Sequence, residues 1–205
     1  MDLLGYLAKS FPGLTLEPAL FYEWPIGIRF ELNDEVQPEP DFNDIVTRAT
    51  AIFSETFKPE DCVIAVSLKH PIAAMHPKRA RDPKGLFEFA NEYHLDFGPT
   101  LEHTSFPTED GESTLEWSPV SDVWSSKIGT IFGAIANLDF GRMPRITDCV
   151  YFVNQSRDII LNMYDDRGLD VIAANRASLS HLYHTHTSWI LGYDLPQVIH
   201  TFESH

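Results

Sequence analysis

The chain is short of positive charge. Fifteen lysines and arginines stand against thirty aspartates and glutamates over 205 residues, a formal net charge of −15 at neutral pH. Nucleic acids are held largely by lysine and arginine neutralising phosphates, so this balance argues against nucleic acid as a direct ligand. The same deficit disfavours anionic membrane surfaces. Cysteine is scarce too: Cys62 and Cys149 lie far apart with no C-x-x-C spacing. Both sit in apolar surroundings, which predicts buried free thiols. No apolar run reaches the length of about 20 residues that a membrane span needs. The most apolar stretch, 128–138, is broken by Gly129 and Gly133. The amino terminus lacks a cationic segment and a cleavage site, so the expected compartment is the cytoplasm. No P-loop, G-x-G-x-x-G, G-x-S-x-G elbow or kinase signature occurs, and no catalytic residue or cofactor is assigned from the sequence. A cysteine–histidine pair that meets only in the fold stays open.

What is present is a globular composition. Hydrophobic residues make up 43% of the chain, with 14 Phe, 7 Tyr and 4 Trp, too many for a disordered acidic polymer. Length and the absence of repeats predict one domain over 1–205. Charge is uneven: residues 1–61 carry twelve acids and four bases. Within that part Glu31, Asp34, Glu35, Glu39, Asp41 and Asp44 follow one another without an intervening base.

Periodicity predicts α+β, an antiparallel sheet packed against helices. A short apolar helix over about 3–11 is stopped by Pro12-Gly13. Segment 26–32 alternates, with Ile26, Ile28, Phe30 and Leu32 on one face and Arg29 and Glu31 on the other, the pattern of a half-buried strand. Asp41 is a natural N-cap for a helix whose stripe is Ile45, Ala49, Ile52, Phe53 and Phe57. Residues 62–68 read as an interior strand. From 70 to 122 the pattern weakens and prolines recur, so this stretch is expected to be an irregular excursion holding short strands or a helix near 86–93. A helix over 125–137 follows, ending near Gly141, then three strands at 149–154, 158–164 and 169–174. Their polar links are short, which predicts a meander. A helix over 177–190 and a last element marked by Pro196 complete the chain.

Asp165-Asp166-Arg167-Gly168-Leu169-Asp170 places three carboxylates and a guanidinium within six residues. Such a segment could hold a divalent cation or clamp an anion. It also suits a type I turn, with Gly168 expected to supply a positive φ. His181, His184 and His186 form a second cluster. On a helix, His181 and His184 fall on adjacent positions and are weak candidates for a metal, although no third ligand is evident and a solvated face explains them as well. Trp24, beside Tyr22, either anchors a recognition surface or seals the end of a sheet.

Two segments, Trp24-Pro25-Ile26-Gly27-Ile28-Arg29-Phe30-Glu31-Leu32 and Tyr164-Asp165-Asp166-Arg167-Gly168, resemble an uncharacterised bacterial family, a domain of unknown function about this long. The resemblance implies a bacterial single-domain protein and carries no chemistry. It singles out Trp24, Arg29, Asp165, Asp166 and Arg167.

The expected function is that of an acidic, non-enzymatic binding protein, an immunity-type inhibitor of a basic toxin domain. Its partner would be a basic protein, met through Glu31, Glu35, Glu39, Asp41 and Asp44. The alternative is a small enzyme or ligand-binding domain with a pocket at Arg29, Glu31 and the Asp165–Asp170 turn, which requires those side chains to converge. Composition carries no information on oligomeric state.

Overall fold

A computed structural model of the chain describes residues 2–33, 40–71, 84–95, 97–98, 101–120 and 127–204. Among the described residues seven strands form one sheet: β1 (Gly27–Glu31), β2 (Val63–Lys69), β3 (Glu102–Thr108), β4 (Gly111–Pro119), β5 (Cys149–Asn154), β6 (Ile159–Met163) and β7 (Gly168–Ala173). Their spatial order is β1-β7-β6-β5-β2-β4-β3, every neighbouring pair antiparallel. Among the described residues seven α-helices accompany it: α1 (Leu3–Ser10), α2 (Leu20–Glu23), α3 (Phe42–Thr56), α4 (Leu86–Glu92), α5 (Ile128–Phe140), α6 (Ala177–Thr185) and α7 (Leu195–Glu203). The fold is α+β, and the meander β5-β6-β7 forms as its short links require. None of these helices is long and apolar enough to cross a membrane.

The sheet is covered on both faces, and this explains why its central strands read as nearly unbroken apolar runs. On one face Phe30, Ala65, Phe152, Leu161 and Val171 pack under α3, α5 and α6 through Ile45, Phe53, Phe132 and Leu182. Rings concentrate there: Phe53 stacks on Phe57 at 4.4 Å, and Phe53, Phe132 and Phe152 meet edge to face. On the other face α1 lays Leu3 and Leu7, with Phe11, over Ile64, Val66, Tyr151 and Ile160. Asp41 caps α3 as its position suggests, its side chain accepting from the Asn43 backbone N–H at 2.8 Å.

Several elements depart from the sequence reading. The irregular excursion contains regular structure: α4 lies where a helix is expected, and β3–β4 is a hairpin that extends the sheet to its far edge. The helix expected over 177–190 ends at Thr185, and Thr187–Trp189 is a separate 3-10 turn. The backbone beyond it returns to the sheet edge, where Leu191 N–H donates to the Arg29 carbonyl at 3.1 Å. The two cysteines form no disulfide and are only partly buried, not fully buried as their apolar surroundings predict. Residues 78–81, where the sequence has the basic run Lys-Arg-Ala-Arg, lie outside the described residues.

Candidate functional site

The strongest polar arrangement grows from one register position. Arg29 on β1 stands opposite Asp170 on β7, on the face that α1 covers farther along the sheet. Arg29 Nε donates to Asp170 Oδ1 at 2.7 Å and Nη2 to Oδ2 at 2.8 Å. The two side chains are 10% and 0% exposed. Three rings enclose the guanidinium: Tyr22 at 4.5 Å, Tyr164 at 5.0 Å and Phe21 at 5.8 Å from ring centroid to Cζ. The Phe21 backbone N–H donates to Asp170 Oδ2 at 3.1 Å, and the Tyr22 hydroxyl donates to Asp194 at 3.0 Å. Burial works against the charge on Arg29, but the Asp170 hydrogen bonds and charge outweigh it and hold the guanidinium above its ordinary pKa. Burial pushes Asp170 up while the same guanidinium pulls it back. Alternation places Arg29 on the strand's polar side; the structure shows that this side is roofed by α2 and Tyr164, so the residue is buried.

A cavity of about 410 Å³ opens beside this pair, lined by Arg29, Phe30, Glu31, Asn33, Tyr164, Arg167 and Leu191. Arg29, Glu31 and Arg167 therefore share one concavity. Arg167 is itself held by Asp165 through its Nε at 2.9 Å and through Nη2.

Gly168 does not have a positive φ. It opens β7 in an extended conformation, and a Cβ there would lie 1.9 Å from the Tyr164 hydroxyl. The glycine is required by the packing of that ring across the hairpin. The turn expectation for its backbone is thus corrected.

The hairpin between β6 and β7 meets the carboxyl end of α5. Carboxylate oxygens of Asp139, Asp165 and Asp166 lie within 4.8 Å of one another. Burial first, then the charges of Asp139 and Asp165, push the Asp166 carboxyl up to about 6. The amino end of α3 adjoins this place, since Phe42 packs edge to face on Phe140 at 5.6 Å. Exposed Asp41 and Asp44 thus sit near the same end of the sheet as Glu31 and the hairpin acids. Glu35 and Glu39 lie outside the described residues.

The remaining candidates separate. Trp24 is half-buried, donates from Nε1 to the Ala173 carbonyl at 2.7 Å and packs on Phe11 at 5.2 Å. It closes the end of β7. His184 lies against the Tyr183 ring, whereas His181 approaches Glu55, and the two do not form a pair. Sequence reasoning passed over Tyr164, Asn33, Asp139 and Leu191. Asp139 left a signal as a lone acid at the end of an otherwise apolar helix, and Tyr164 as the first residue of the Tyr-Asp-Asp-Arg-Gly segment.

Comparison with known proteins locates the chain without supplying a chemistry. It is 25% identical over 211 residues to the uncharacterised protein YnaE of Bacillus subtilis (strain 168), covering 94% of this chain and 99% of that protein. No solved structure matches it. The model of a domain of unknown function, DUF3885, matches residues 3–194, and the chain belongs to that family.

Proposed function

We propose that this chain is a non-enzymatic binding protein that receives a basic protein partner on the acidic end of its sheet, as an immunity protein does when it neutralises a basic toxin domain. The observation that carries the reading is the convergence of Asp139, Asp165 and Asp166 from two elements distant in sequence. Crowded carboxylates repel one another, and the charges of Asp139 and Asp165 add to burial, the larger cause, in raising the pKa of Asp166. Lysine or arginine side chains of a partner would relieve that repulsion. Complementary charge of this kind accelerates encounter and selects partners. In that role the protein works in the cytoplasm, shielding the cell that makes the toxin.

The test is kinetic. A basic protein recovered with the purified chain at low salt is bound to wild type and to a variant carrying Asp44→Lys and Asp139→Lys, both exposed at that end. The association rate should fall about tenfold or more in the variant at low salt, the two rates converging as salt rises. Equal association rates at low salt would remove the acidic end from recognition.

The cavity favours a second reading, a small-ligand site. Its volume of about 410 Å³ falls in the usual range for such pockets, and it joins two guanidinium groups, a carboxylate and a tyrosine ring. Saturable shifts of the Arg29 Nε–H and Tyr164 ring NMR signals on adding a small dicarboxylate or phosphate ester would support it. Unmoved signals would discard that ligand class.

A further inference from the structure

A second cavity lies away from the acidic end. It measures about 630 Å³ and opens between the last turn of α3, the β5–β6 turn and the first half of α6. Glu55 and His181 line it, together with Lys58, Arg157 and Ser178. Glu55 is shared by two histidines: His186 Nε2 lies 2.8 Å from Oε1, and His181 Nε2 lies 3.6 Å from Oε2.

These two distances mean different things. The first is a hydrogen bond. The second is too long for one, and Oε2 is shielded from solvent with no hydrogen-bond partner. An unsatisfied buried acceptor is costly, and this one belongs to a carboxylate. Two ligands about 2.0–2.1 Å from a tetrahedral zinc ion stand about 3.4 Å apart. The separation of His181 Nε2 from Glu55 Oε2 is thus close to that of two ligands sharing one ion. Imidazole and carboxylate are a donor set that zinc accepts.

His186 supplies the support that a ligating carboxylate requires. Its ring is nearly buried, stacks on Trp189 at 4.3 Å and meets Phe30 edge to face at 6.4 Å. Clamped in this way, it holds Glu55 Oε1 and leaves Oε2 directed at His181, whose own ring is 81% exposed and free to adjust.

We propose that Glu55 Oε2 and His181 Nε2 form a two-ligand zinc site at the mouth of this cavity, with His186 as the residue that positions the carboxylate. The remaining coordination positions face the cavity and are filled by water or by an anionic group, for which Lys58 and Arg157 provide nearby positive charge.

The experiment titrates metal-free protein with zinc chloride by calorimetry. Wild type should show one saturable site that is weakened tenfold or more in both Glu55→Gln and His181→Asn. His186→Asn should weaken it by about 10–100-fold, the usual effect of removing a supporting hydrogen bond, and His184→Asn should leave it unchanged. Zinc uptake by Glu55→Gln and His181→Asn equal to that of wild type would place the metal on other histidines and overturn the proposal. A second measurement avoids dependence on variants. Nickel chloride added to wild type should broaden the His181 ring signals before those of His184 and His200, and equal broadening of all three would overturn it.

Discussion

Arg29 and Asp170 are separated by 141 positions in the chain, yet they stand directly opposite each other and close a two-point ion pair with almost no access to solvent. A buried pair of this kind contributes little net stability, because removing two charges from water offsets most of their attraction. Removing one partner is another matter. Asp170→Asn leaves the guanidinium buried among three rings without its counter-charge and should cost about 3–5 kcal/mol. The double variant Arg29→Met, Asp170→Leu should recover most of that loss. Urea unfolding of the three proteins checks both statements, and a single-variant loss below about 1 kcal/mol would contradict them.

Gly168 gives a second prediction of stability. Alanine there is acceptable to the backbone but places its Cβ 1.9 Å from the Tyr164 hydroxyl and 2.5 Å from Cζ. Overpacking of this order costs about 1–3 kcal/mol. The loss should vanish when Tyr164 is already alanine, so the two substitutions will be non-additive. A double-mutant cycle followed by thermal unfolding measures the coupling, and additive losses would show that the cost of the alanine does not come from the Tyr164 ring.

How much of this was legible in the sequence follows from which faces are buried. Strands β1, β2 and β5 to β7 carry their burial in their sequence pattern, α1 stops just before a Pro-Gly pair, and α3 begins at a capping aspartate. β3 left little trace because most of it is exposed and it includes Pro107. No buried face imposes alternation on it. The pairing of β1 with β7 was equally invisible, since register between segments so distant depends on the closed sheet. Polar residues inside apolar strands were the readable hint of the site: Asp170 and Asn162 lie opposite each other on β7 and β6, both almost wholly buried. Asp139 joins the hairpin acids only because α5 ends there, and neither segment announces the other.

The acidic end also has a pH signature whose sign can be worked out. A free aspartate titrates near 3.9 in an unfolded chain, whereas Asp166 in the fold titrates at about 6. The folded state therefore binds this proton more tightly than the unfolded state does. The stabilisation it confers is complete below pH 4 and is lost as pH rises through about 6, when a partly buried carboxylate must ionise beside Asp139 and Asp165. At neutral pH the group thus costs stability. Asp166 is only partly buried, so after allowance for solvent screening the cost is about 1 kcal/mol. Asp166→Asn should raise the melting temperature at pH 7.5, and the difference from wild type should shrink steadily as pH falls from about 6 to 4. Thermal melts of both proteins at several pH values, at low and at moderate salt, test this directly. If Asp166→Asn is no more stable than wild type at pH 7.5 and low salt, the three carboxylates do not strain one another. The reason given for a cationic partner at this end of the sheet would then fail with them.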